Sequence, residues 1–166
     1  RADSGARFDG DFQGLENWTS DTDFFEDMRD WGLDPESFKS DAFSVVDLIH
    51  PDDVITQPRT EGIAFRVVER GTDEHCIDQG FKKMAIAAGA KIHYKSKRSP
   101  QDCQIIAAGP KESSAIAFGE VFHTDHPNHV SFQLNDKLAP GAYSYLIIID
   151  GVGLICTCLW RKQKKS

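Results

Sequence analysis

Ile63-Ala64-Phe65-Arg66-Val67-Val68, then Gly71-Thr72-Asp73, then Ile77, Phe81, Met84 and Ala88 ahead of Gly89, form the stretch that decides the fold. The first six residues are rich in β-formers and read as a strand. Ile77, Phe81, Met84 and Ala88 keep an apolar stripe at helical spacing, and Gly89 stops it. Lys91-Ile92-His93-Tyr94 reads as a short strand. Gln104-Ile105-Ile106-Ala107-Ala108-Gly109 reads as another, apolar on both faces as a buried parallel strand is. A strand–helix–strand unit of this kind predicts that part of the sheet is parallel.

Working outward, the pattern changes on the C-terminal side. Residues 115–124, 130–134, 143–150 and 154–160 are four β-rich runs. Asp125-His126-Pro127-Asn128, Asn135-Asp136-Lys137 and Asp150-Gly151 join them, and an Asp-Gly pair between strands is a strong hairpin signal. On the N-terminal side the first 20 residues read as loop, punctuated by Gly5, Gly10 and Gly14. A helix follows at about 21–31, capped by Ser20 or Asp21 and ended by Gly32, with Phe24, Phe25, Met28 and Trp31 on one face. Extended segments come at about 43–49 and 53–57. The expected fold is α+β with an α/β element: one parallel strand–helix–strand unit joined to an antiparallel sheet. The expected division is a loop and short helix over 1–42 and a mixed segment with the sheet over 43–166, as one compact unit.

Length and composition agree with a folded domain. The chain has 166 residues, 40% hydrophobic and 27% charged, with eleven Phe and three Trp, which excludes a disordered polymer. The net charge of −7 is uneven: residues 1–60 hold fifteen Asp/Glu against five Lys/Arg, and the remainder eleven against fourteen. An acidic chain is not built for the phosphate backbone, so no nucleic-acid partner is expected. No apolar run reaches the roughly 18 residues of a membrane helix. Four Cys in a chain of this size do not make a disulfide scaffold, and a reducing, cytoplasmic setting is expected.

The residues bear on three kinds of chemistry. His123, His126 and His129 are spaced by three, and Cys156 and Cys158 by two, but a turn at 125–128 leaves the ring directions unfixed, and no metal site is expected. Ser113-Ser114 lack the flanking glycines of a nucleophile elbow. Cys76 beside His75 reads as a core thiol, because adjacent helical positions point apart. A Gly-x-Gly-x-x-Gly between strand and helix, which brings a helix N-terminus to a pyrophosphate, is not in the chain.

Several segments nevertheless resemble the central part of geranylgeranyl reductase-like flavoproteins, within the wider para-hydroxybenzoate hydroxylase-type class. Arg1-Ala2-Asp3-Ser4-Gly5-Ala6-Arg7-Phe8 looks like the loop after the ribose-binding strand of that family, and Gly10 to Trp18 like its continuation. Arg66 to Gly71 and the helix through Ala88-Gly89-Ala90 resemble the family's arginine and helix segment. Asp102 to Pro110 is similar to its Ala-Thr-Gly-like motif, with Ala108 where Thr is usual. Ala139-Pro140-Gly141-Ala142-Tyr143 and Asp150-Gly151 look like its substrate-domain sheet. The family's glycine fingerprint is expected before Arg1 and its late flavin-binding motif after Ser166.

The resemblance implies an FAD-dependent oxidoreductase that reduces a double bond or performs flavin-linked hydroxylation on a small or lipid-like substrate. It implies an incomplete FAD/NAD(P)-binding fold here, with FAD bound weakly or not at all by this chain alone. Cofactor contacts would fall to Gly5, Arg7, Gly14, Ala107, Ala108 and Gly109. Phe12, Gln13 and Trp18 would line the substrate cavity, and Arg66 would orient the substrate or pair with an acid. No catalytic residue is assigned. A non-catalytic α+β binding module, with a homo-oligomer to complete its core, is the alternative from a different class.

Overall fold

The computed structural model describes residues 3–7, 10–58, 61–108 and 115–160. Among these residues, nine strands form two sheets. In chain order the elements are β1 (Phe12–Glu16), α1 (Phe24–Asp30), β2 (Ser40–Phe43), β3 (Asp47–Ile49), β4 (Ile55–Thr56), β5 (Phe65–Glu69), α2 (Ile77–Ala87), β6 (Ala115–His123), β7 (His129–Gln133), β8 (Ser144–Ile149) and β9 (Val152–Trp160). The smaller sheet has the order β1-β5-β2 and the larger β4-β3-β7-β8-β9-β6.

The strand over 63–68 forms as β5 and becomes the centre of the smaller sheet, antiparallel to both neighbours. Its residues alternate between two cores. Phe65 and Val67 meet Val46, Val130, Ile147 and Ile149 of the larger sheet. Val68 faces the other way, with Phe25 and Met28 of α1, Phe38, and Ile77 and Met84 of α2. The result is three layers, helices on a small sheet on a large sheet, each apolar face covered by the next.

Helix α1 starts where Asp23 accepts the Phe25 N–H at 2.9 Å, an N-cap that satisfies an orphan donor. Phe25 and Met28 are buried as the stripe predicts, while Trp31 follows the helix and stays exposed. The hairpin at Asp150-Gly151 forms: both residues have positive φ, 49° and 82°, the geometry that such a two-residue turn requires. The four predicted β-runs are β6 to β9, paired antiparallel in register.

Three expectations are corrected. The first 20 residues are not all loop, because β1 pairs with β5 over Phe12–Glu16. The strands expected at 91–94 and 104–109 do not form at 91–94 and 104–108, which are irregular and exposed, with Ile105 86% accessible; Gly109 lies outside the described residues. An apolar run becomes a strand only beside a partner edge, and none is offered there. The parallel strand–helix–strand unit is therefore not present among the described residues. The parallel pairing in the structure is instead β3 with β7, Leu48 opposite Phe132.

The loop at 3–7 is tied down locally. Asp3 accepts from Lys82 Nζ at 2.7 Å and from Tyr94 Oη at 2.9 Å, and Gln79 Nε2 donates to the Ser4 carbonyl at 2.9 Å. The Lys82 hydrogen bond, with help from the Ser4 N–H and Tyr94, holds the Asp3 carboxyl down to about 2. No helix among the described residues is long and apolar enough to cross a membrane. All four cysteines are free.

Candidate functional site

Alternation along the larger sheet places one row of side chains across its inner face: Leu48, Phe132, Tyr145, Cys156 and Gly119 on five successive strands. Tyr143 and Cys158 continue the face on one side, and Ile147 and Leu154 on the other. Opposite stands β1 of the smaller sheet. Between them is a cavity of about 540 Å³, lined by Phe12, Gln13, Gly14, Glu16, Trp18, Leu48, Phe65, Phe132, Leu134, Tyr143, Tyr145, Ile147 and Cys158.

Six aromatic rings dominate this lining, and Phe132 is their hub. Its ring centroid lies 5.5 Å from those of Phe65 and Tyr143, 6.0 Å from Trp18 and 6.2 Å from Tyr145. Trp18 stacks on Phe65 at 5.5 Å and 12°. Offset and edge-to-face pairs of this kind fix ring positions beyond what area burial does.

The polar groups are few. Glu16 is the one charged lining residue among the described residues, and it is engaged by Thr19 through Oγ1 at 2.6 Å and N–H at 3.3 Å. Burial raises the Tyr143 hydroxyl and the Cys158 thiol above their ordinary values. Tyr145 is raised by burial and by a hydrogen bond with Cys156. Burial thus favours the protonated form of all three groups. Gln13 borders two further hollows of about 340 and 460 Å³, both also lined by Arg70.

The residues singled out in the sequence divide clearly. Phe12, Gln13, Gly14 and Trp18 line the aromatic cavity. Gly14 serves a close approach, but to protein: a Cβ there would sit 2.1 Å from Phe65 Cζ. Gly5 has φ +77°, and its Cβ direction meets the Gly71 carbonyl at 2.1 Å. Arg7 is exposed on the same loop. Ala107 and Ala108 are exposed in the irregular segment and do not line the cavity.

Arg66 is in the smaller sheet and engages Asp23, with Nε at 2.9 Å and Nη2 at 2.6 Å, and its guanidinium lies 3.9 Å from the Phe25 ring centroid. The Arg66 hydrogen bond holds the Asp23 carboxyl below the usual range despite partial burial. This is the pairing with an acid, and Arg66 does not line the cavity. Of the weighed histidines, His126 and His129 approach each other edge-on at 5.6 Å, with His126 Nδ1 on the Pro127 carbonyl.

Phe65, Phe132, Tyr143 and Tyr145 are not among the site residues expected from the sequence. The period-two alternation Val130-Phe132-Leu134 and Tyr143-Tyr145-Ile147 is the signal that puts them on one face. No family model, curated protein or solved structure matches this chain.

Proposed function

We propose that this chain is the substrate-binding portion of an FAD-dependent oxidoreductase, acting by double-bond reduction or flavin-linked hydroxylation on an apolar substrate. The observation that carries the reading is the aromatic cavity, which gathers Phe12, Gln13 and Trp18 around a space large enough for a small molecule. Its phenols and thiol are held protonated, so they orient a ligand while a cofactor supplies the electrons. Gly5 and Gly14 are taken up by protein contacts in their Cβ directions, so FAD contacts in this reading fall to Arg7, whose guanidinium matches phosphate, and to the exposed backbone at Ala107 and Ala108. Exposed apolar side chains at Ile105 and Ile106, next to Ala107 and Ala108, favour a further protein layer there.

The test is to express the chain with its flanking coding sequence and record the flavin absorption band. A stoichiometric band is expected, and Phe12→Ala or Trp18→Ala should keep the band while weakening substrate-dependent flavin turnover. A folded, flavin-free protein would overturn the reading. It would favour the non-catalytic binding module, for which the apolar edge strand β6 is the supporting observation.

A further inference from the structure

Glu69 ends β5, and His75 and Cys76 immediately precede α2. One ligand atom from each, a carboxylate oxygen, an imidazole nitrogen and a thiol sulfur, all lie within 4.8 Å of one another. His75 and Cys76 are not on the helix, so the rule that adjacent helical positions point apart does not hold for them. Cys76 is the N-cap residue of α2, yet its side chain makes no capping hydrogen bond. It is 1% exposed and directed to the cluster instead.

The backbone holding these groups is locked from both sides. Lys39 N–H donates to the His75 carbonyl at 2.8 Å, Cys76 N–H to the Asp73 carbonyl at 3.0 Å, and Gln79 and Gly80 N–H groups to the Cys76 carbonyl, each at 3.0 Å. The Glu69 carboxylate, 3.0 Å from His75 Nε2, brings a negative charge to the cluster, and a cation placed among the three donors would be held by it.

We propose that Glu69, His75 and Cys76 bind a divalent ion of the zinc class, with water as the fourth ligand. One nitrogen, one sulfur and one oxygen suit a borderline-soft tetrahedral ion, whereas calcium and magnesium take oxygen sets. Tetrahedral donors at zinc distances stand about 3.3–3.8 Å apart, so donors up to 4.8 Å apart would have to close by about 1 Å. His75 and Glu69 side chains are 43% and 33% exposed, which leaves an entry path and room for the water. On binding, the Cys76 S–H proton leaves to solvent and a metal–thiolate bond forms. The ion would clip the end of β5 to the start of α2.

Cobalt(II) titration of chelator-treated protein tests this. One equivalent should produce a near-ultraviolet thiolate-to-cobalt charge-transfer band, and zinc should bleach it. Cys76→Ser should abolish the band, while Cys103→Ser and Cys158→Ser keep it. Because Cys76 is buried, His75→Ala and Glu69→Gln provide the second arm. Each should weaken cobalt binding by more than the ~10–100-fold typical of losing an outer-shell partner. Absence of the band in the parent protein, its survival in folded Cys76→Ser, or unchanged affinity in both surface variants would overturn the proposal. In that case His75 and Glu69, 3.0 Å apart, form an ion pair only.

Discussion

Arg66 and Asp23 lie forty-three positions apart in the chain and form a two-pronged ion pair, while the same Asp23 carboxylate caps α1 through the Phe25 N–H. One side chain thus joins the smaller sheet to the helix layer. Asp23→Ala should cost about 2–4 kcal/mol, since it strands a mostly buried guanidinium and removes a cap. Asp23→Asn should cost less, because Asn still caps. Urea unfolding of the two variants checks the order, and equal losses would separate the cap from the pair.

Acid should weaken this junction in a defined window. The Asp23 carboxyl is depressed in the folded state, so the unfolded chain binds its proton first as pH falls. The contribution is complete above the unfolded value near pH 4 and is lost as pH drops through the lower folded value. Stability measured against pH should therefore decline more steeply below about pH 4 in the parent than in Asp23→Asn.

Gly14 and Gly153 make a matched pair of tests. A Cβ at Gly14 would collide with Phe65 Cζ at 2.1 Å, and that ring is buried and stacked on Trp18. Gly14→Ala should cost about 1–3 kcal/mol by overpacking and change Trp18 fluorescence. A Cβ at Gly153 would meet Phe122 Cζ at 2.4 Å, but Phe122 is 36% exposed on the edge strand and can swing away. Gly153→Ala should stay within about 1 kcal/mol of the parent.

Phe132 holds the aromatic cluster together, so Phe132→Ala should cost about 2–4 kcal/mol, below the value for a wholly buried ring. The near-ultraviolet circular dichroism of the tryptophan and tyrosines should fall with it. An unchanged spectrum would remove Phe132 from the centre of the site.

Strand β6 pairs with β9 alone among the described residues, and every one of its nine residues is exposed. Its single charge is Glu120, although natural edges are usually blunted by charge or proline. The chain should therefore self-associate as concentration rises, and Phe118→Lys should suppress this. Sedimentation velocity over a concentration series reads the difference.

The β-rich C-terminal third was legible because the Asp150-Gly151 turn and period-two alternation state both the hairpin and its inner face. β1 was hidden because Gly10 and Gly14 look like turn residues, and only the position of the Phe65 ring reveals why a strand needs glycine at 14. The run Gln104-Ile105-Ile106-Ala107-Ala108 has strand composition but no neighbouring edge, a fact that lies outside local sequence. Half of the cavity was visible through Phe12, Gln13 and Trp18. The other wall comes from β7 and β8, which lie more than a hundred residues from β1 in sequence and are brought opposite it by the packing of Phe65 and Val67 on Val130 and Ile147. Arg66 meets Asp23 through tertiary contact that no motif announces.

The parallel pairing of β3 with β7 also sets an order of events. β3 spans Asp47–Ile49, and its partner, His129–Gln133, is made some eighty residues later. The β1-β5-β2 sheet can close as soon as β5 exists, whereas β3 and β4 must wait beside it as an unattached ribbon until the distant strand arrives. Such non-local closure slows folding. Pulse-labelled hydrogen exchange should show β5 amides protected before those of β3, with β3 and β7 gaining protection together. The cavity wall carried by Leu48 is then set only once β7 has been made.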